Sequence, residues 1–70
     1  MLNRMKIDEV LELLRLKGWS KRHLAKQLSL SEDTVYRWFV NEYVPRTPAV
    51  ILMRHWLEEA RKGLTLPAAS

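Results

Sequence analysis

Two serines, Ser20 and Ser31, each stand between a large apolar residue and a short amphipathic run, and they constrain this chain more than any other feature. A serine at such a junction accepts a hydrogen bond from a backbone N–H that the first turn of a helix leaves unpaired. The apolar residue just outside it staples onto one just inside the helix. Trp19–Ser20–Leu24 and Leu30–Ser31–Val35 both meet this description, which predicts helices over 21–28 and 32–40. Leu24, Ala25 and Leu28 fall on one face of the first, and Val35, Trp38 and Phe39 on one face of the second, at the i, i+3, i+4 spacing of a buried stripe. Ser29, Leu30 and Ser31 alone join them, so the chain must turn sharply, and Ala25 supplies the small residue that a close helix crossing needs.

On these residues the segment 20–57 resembles the DNA-binding helix-turn-helix of the Cro/CI repressor family. Leu24–Ala25, the turn aliphatic Leu30, Val35 and the aromatic Trp38 occupy the family's pattern positions, and Pro45 follows in the loop. Ser29 and Asn41 stand where the family prefers glycine, a residue suited to positive φ; Asn visits that region more readily than Ser. The resemblance implies an all-α fold, a compact four-helix or five-helix domain, of the kind common in phages and mobile elements. It further implies a transcriptional regulator of the type that represses its own operon, anti-CRISPR operons included.

Length agrees with one domain over 1–63 and a tail over 64–70: 70 residues suffice for a single modest core and are too few for an enclosed active site with its scaffold. With 47% hydrophobic and 29% charged residues the chain has the balance of a folded protein. The absence of Cys removes disulfides and thiolate metal sites and fits a reducing compartment. No apolar run approaches the roughly 20 residues of a membrane span, and the start of the chain lacks a secretory apolar segment, so a cytoplasmic protein is expected.

A net charge of +4 suits a polyanionic partner, and it is unevenly spread. Residues 1–30 hold seven Lys/Arg against three Asp/Glu, residues 31–44 one against three, and the rest four against two. The basic excess therefore precedes the second helix of the pair. Charge alone fits a solvated basic surface equally well.

Outside the pair, Ile7, Val10, Leu11 and Leu14 predict a core stripe on a helix over 4–17, closed by Gly18, with Trp19 folding back toward Leu14. Leu13 and Leu16 lie off that stripe, as a second packing face, an oligomer contact or exposed residues. An irregular loop over 41–46 is expected, with Val44 biased toward extended backbone by Pro45. Thr47 and Pro48 then start a helix over 48–62 whose core face is Ala49, Leu52, Met53, Trp56, Leu57 and Ala60. Ile51 stands on its polar side and, with Leu64 and Leu66 of the tail, forms the expected homodimer contact.

For chemistry the chain offers little. His23 and His55 lack carboxylates at ligand or general-base spacing, no Gly-rich phosphate loop exists, and the serines have no nucleophile's neighbours. No enzyme activity, metal or other cofactor is expected. Binding double-stranded DNA is the leading expectation, with the helix over 32–40 in the major groove and Glu32, Asp33, Thr34, Tyr36 and Arg37 outward. Arg37 suits guanine, Thr34 and Tyr36 a thymine methyl or a phosphate. Glu32 and Asp33 either accept from a cytosine amino group or merely complement the helix dipole. Phosphate contacts are expected from Ser20, Lys21 and Arg22 on one side and from Asn41, Tyr43, Arg46 and Thr47 on the other, the two places where the resembled family grips the backbone. The leading reading is thus a sequence-specific repressor, homodimeric on an inverted repeat. The alternative is a protein-interaction module, such as an antitoxin or assembly adaptor, presenting Leu13, Leu16 and Ile51.

Overall fold

The computed structural model describes residues 4–65, with side chains to residue 63. Four helices dominate it: α1 (Ile7–Lys17), α2 (Lys21–Leu28), α3 (Glu32–Asn41) and α4 (Pro48–Thr65). Two short strands, β1 (Met5–Lys6) and β2 (Tyr43–Val44), pair antiparallel with Met5 opposite Val44.

That strand pair is the departure from an all-α chain. Residues 5 and 6, expected in the first helix, are extended, and residues 43 and 44, expected in an irregular loop, are their partners. Pro45 holds Val44 in the extended region, while Met5 and Val44 are both fully buried. Each such burial is worth about 1.5–3 kcal/mol. Helix α1 therefore begins at Ile7, with the Glu9 carboxylate accepting from the Lys6 backbone N–H at 3.1 Å.

Local capping sets the remaining boundaries. Ser20 Oγ accepts from the His23 N–H at 3.1 Å and Ser31 Oγ from the Thr34 N–H at 3.2 Å. Gly18, at φ 70°, turns α1 off, and the Trp19 N–H reaches back to the Leu14 carbonyl at 2.9 Å. Helix α2 ends the same way through Ser29, at φ 58°, with the Leu30 N–H donating to the Ala25 carbonyl at 2.9 Å. At the end of α3 the left-handed residue is Glu42, at φ 66°, one position beyond Asn41. Asn41 completes the last helical turn instead, and the Glu42 N–H closes onto the Trp38 carbonyl.

Helix α1 packs on α4 and α2 on α3. The core between them contains Met5, Val10, Leu13, Leu14, Leu24, Ala25, Val35, Trp38, Val44, Val50, Met53 and Leu57. Two stripes are rotated from expectation. On α1 the buried side is Val10, Leu13 and Leu14, while Leu11 is exposed; on α4 Val50 is fully buried and Leu52 exposed. Leu13 thus belongs to the core and is unavailable to a partner, and Leu16 is half-buried against it. Trp56 is also half-buried, its ring edge-on to Trp19 at 5.5 Å. Across the α1–α4 seam Arg54 donates to Glu9 at 2.9 Å, and Arg61 grips both oxygens of Glu12 at 2.8 and 2.7 Å. Among the described residues no helix is long and apolar enough to cross a membrane.

Candidate nucleic-acid interface

Helix α3 buries Val35 and Trp38, which turns Asp33, Tyr36, Arg37 and Val40 to the opposite, exposed side. Those four sit at i, i+3, i+4 and i+7, so they form one strip along the helix. Tyr36 and Val40 are 62% and 63% exposed, an uncommon openness for two apolar side chains one turn apart. Val40 escaped the sequence reading because an aliphatic residue next to Phe39 looks like core, although its spacing from Asp33 and Arg37 marks the outward strip. Glu32 flanks this strip at the helix start. Thr34 does not share it: its side chain is half-buried and its hydroxyl lies 2.9 Å from Ser31 Oγ.

Beside the start of α3, the first turn of α2 presents Lys21 and Arg22. A recess of about 250 Å³ between the two helix starts is lined by Lys21, Arg22, Glu32, Asp33 and Tyr36. Arg22 Nε and Glu32 Oε2 are 3.1 Å apart across it, with side chains 82% and 64% exposed. The Lys21 ammonium lies 4.2 Å from the Phe39 ring centroid, which orients it without removing it from solvent. Ser20 spends its hydroxyl on the α2 cap.

The opposite flank is a second recess, of about 210 Å³, lined by Thr34, Arg37, Trp38, Asn41, Tyr43 and Pro45. Asn41 is exposed at the last turn of α3, while Tyr43 is half-buried in β2 under the Arg4 guanidinium, 4.9 Å from its ring. Arg46 is exposed, and the Thr47 hydroxyl donates to the Pro45 carbonyl at 3.2 Å. The strand pair is what fixes this flank, since β2 anchors the segment directly after α3 to the core. Arg4, drawn to Tyr43 by that pairing, adds a cation that sequence spacing could not place there.

Elsewhere, an uncharged recess of about 420 Å³ runs between Leu28, Leu30, Trp38, Pro45, Pro48, Ala49 and Leu52. Ile51 is 59% exposed; Leu66 and the Leu64 side chain lie outside the described residues. His23 is exposed, its ring tilted at 60° to that of Trp19 with centroids 5.1 Å apart and Gln27 within 3.3 Å, and His55 is exposed on α4. Among the described residues no group of three or more His, Cys, Asp or Glu could hold a metal ion.

No family model, curated protein or solved structure matches the chain. What the surface can do follows from its own geometry: a narrow strip with one long guanidinium, one carboxylate and two apolar groups, between two flanks bearing cations and hydroxyls.

Proposed function

We propose that the chain is a sequence-specific regulator of transcription that binds double-stranded DNA, a repressor acting as a homodimer on an inverted repeat. Helices α2 and α3 act as a helix-turn-helix, with α3 in the major groove. The observation that carries this reading is the outward strip of α3, Asp33–Tyr36–Arg37–Val40, set between Lys21 and Arg22 on one side and Asn41 and Tyr43 on the other. A helix about 10–12 Å across fits a major groove about 12 Å wide, and phosphates border that groove on both sides, where the flanks stand.

Roles follow from reach and chemistry. Arg37 donates two parallel hydrogen bonds to guanine, Val40 and Tyr36 offer apolar surface to thymine methyls, and Asp33 and Glu32 accept from cytosine amino groups. Lys21, Arg22 and Arg46 pair with phosphates, joined by Asn41, Tyr43 and Thr47, and the exposed N–H groups behind Ser20 favour the same anion. Two copies joined through Ile51 and the tail would present two α3 helices about 34 Å apart, one DNA turn, to symmetric half-sites.

Selection of binding sites from a random duplex pool, followed by affinity measurements on selected and random DNA, tests the reading. Arg37→Ala weakens the selected site by about 1–3 kcal/mol and leaves random DNA nearly unchanged, whereas Lys21→Ala weakens both alike and lowers the salt slope by about one. An Arg37→Ala loss as uniform as that of Lys21→Ala refutes the orientation of α3. Wild-type binding that is weak and insensitive to salt refutes DNA binding altogether and favours the interaction module. Sedimentation of Ile51→Glu as a monomer beside a dimeric wild type supports the pairing; a wild type monomeric both free and on DNA rejects it.

A further inference from the structure

The ion pair between Arg22 and Glu32 couples a phosphate-facing cation to a base-facing carboxylate. Arg22 is the second residue of α2 and Glu32 the first of α3, so the contact bridges the two helix starts at the mouth of the recess they share. With both side chains mostly exposed, the pair is weak and exchangeable. A phosphate takes a guanidinium by two hydrogen bonds, as a carboxylate can, and so competes with Glu32 for Arg22. Taking Arg22, however, strands the Glu32 carboxylate against a polyanion, with Asp33 already beside it.

We infer that Glu32 sets the ratio of specific to random DNA binding by holding Arg22 off the phosphates until a base-edge donor, a cytosine amino group, takes its place. On random sequence each Arg22–phosphate contact costs one ion pair and leaves an unpartnered carboxylate. On a site with cytosine opposite Glu32, the released carboxylate gains a hydrogen bond and Arg22 is freed without that loss. The same side chain therefore weakens every wrong site while barely affecting the right one, which is how specificity arises from repulsion as well as attraction. Asp33 makes a useful contrast: it carries the same charge in the same turn and forms no ion pair among the described residues. The inference rests on the DNA-binding reading above.

The test compares wild type, Glu32→Gln, Arg22→Ala, the double variant and Asp33→Asn on a random-sequence duplex between about 50 and 200 mM salt. Glu32→Gln binds random DNA about 1.4- to 5-fold tighter, the equivalent of one exposed ion pair, and its plot of log affinity against log salt steepens by about 0.9, one more phosphate engaged. Its ratio of selected-site to random affinity falls. In the Arg22→Ala background the same substitution leaves the slope unchanged, and Asp33→Asn gives no Arg22-dependent steepening. Glu32→Asp, which keeps the charge but withdraws the carboxylate by one methylene, steepens the slope as well and so separates pair geometry from charge at the helix start. A wild type with steep salt dependence and a Glu32→Gln of equal slope overturns the inference and leaves DNA binding intact. Steepening that persists without Arg22 also overturns it, because Glu32 then acts as bulk charge. A wild type with a flat salt response removes DNA binding itself, and the inference with it.

Discussion

Among the described residues three helices end on a left-handed residue, yet only one of the three is glycine: Gly18 at φ 70°, Ser29 at φ 58° and Glu42 at φ 66°. An L-residue in that region carries about 1–2 kcal/mol of steric strain. Glycine avoids it but gives back roughly 0.5–1 kcal/mol through the extra freedom of its unfolded chain. The net gain for Ser29→Gly or Glu42→Gly therefore spans about 0–1.5 kcal/mol and centres on about 0.5–1 kcal/mol. Gly18→Ala should lose a similar amount, and for the backbone alone, because a Cβ there would meet no atom within 4 Å. In a domain of this size 1 kcal/mol moves the melting temperature by about 4–8 °C. Each glycine variant should thus melt roughly 2–8 °C higher and Gly18→Ala as much lower by circular dichroism, with an unchanged urea m-value. The two gains should add to within about 0.3–0.5 kcal/mol, since they close different helices and share no partner. Gly18→Ala melting at or above wild type, or both glycine variants melting below it, would refute the claim that these helix ends are strained.

Two further outcomes concern the core and the helix seam. Trp38, 4% exposed between α2, α3 and the segment after it, should lose about 3–5 kcal/mol on truncation to Ala. A 70-residue domain holds only about 3.5–10 kcal/mol in total, so Trp38→Ala should be largely unfolded or melt far below wild type in a thermal scan. The Arg61 hydrogen bonds hold the Glu12 carboxyl below its ordinary value of 4.5, and the same bonds raise Arg61. A depressed carboxyl stabilises the fold above its unfolded value and loses that contribution as pH falls through its folded one. Glu12→Gln should accordingly melt lower than wild type at neutral pH, and the gap should close on acidification below about 4.5. A gap that stays constant from neutral to acid pH would show that the seam owes nothing to this charge.

What was legible in the sequence was whatever short-range hydrogen bonding decides. Ser20, Ser31 and Gly18 each act on groups within four residues of themselves, so their effect is written in their immediate neighbours. The rotation of the buried stripes was not written there. Val10, Leu13 and Leu14 satisfy the same i, i+3, i+4 rule as Ile7, Val10, Leu11 and Leu14, and a leucine-rich helix carries both patterns. The choice between them is made by α4, some forty positions later, and there the run Val50–Met53 puts an apolar residue in every direction. The strand pair was hidden for a related reason: two residues have no period, and Met5 and Val44 meet only because the helices bring them together.

At the candidate interface the same division holds and carries a physical consequence. The outward direction of Asp33, Tyr36 and Arg37 follows from where Val35 and Trp38 must go, so one helix sufficed to read it. The pairing of Arg22 with Glu32 and the seating of Lys21 over Phe39 each need the crossing geometry of two helices. Those cross-helix contacts change the electrostatic account. Helix α3 carries two carboxylates against one guanidinium, so by itself it would repel a polyanion. Cations on α2, with Arg4 and Arg46 on the far flank, must supply the attraction. If the chain reads DNA, then affinity comes from the flanks and discrimination from a strip that gains little from phosphates. A basic α3 would bind more tightly and choose less well, because charge attraction is the same at every site while a carboxylate is tolerated only where a donor faces it.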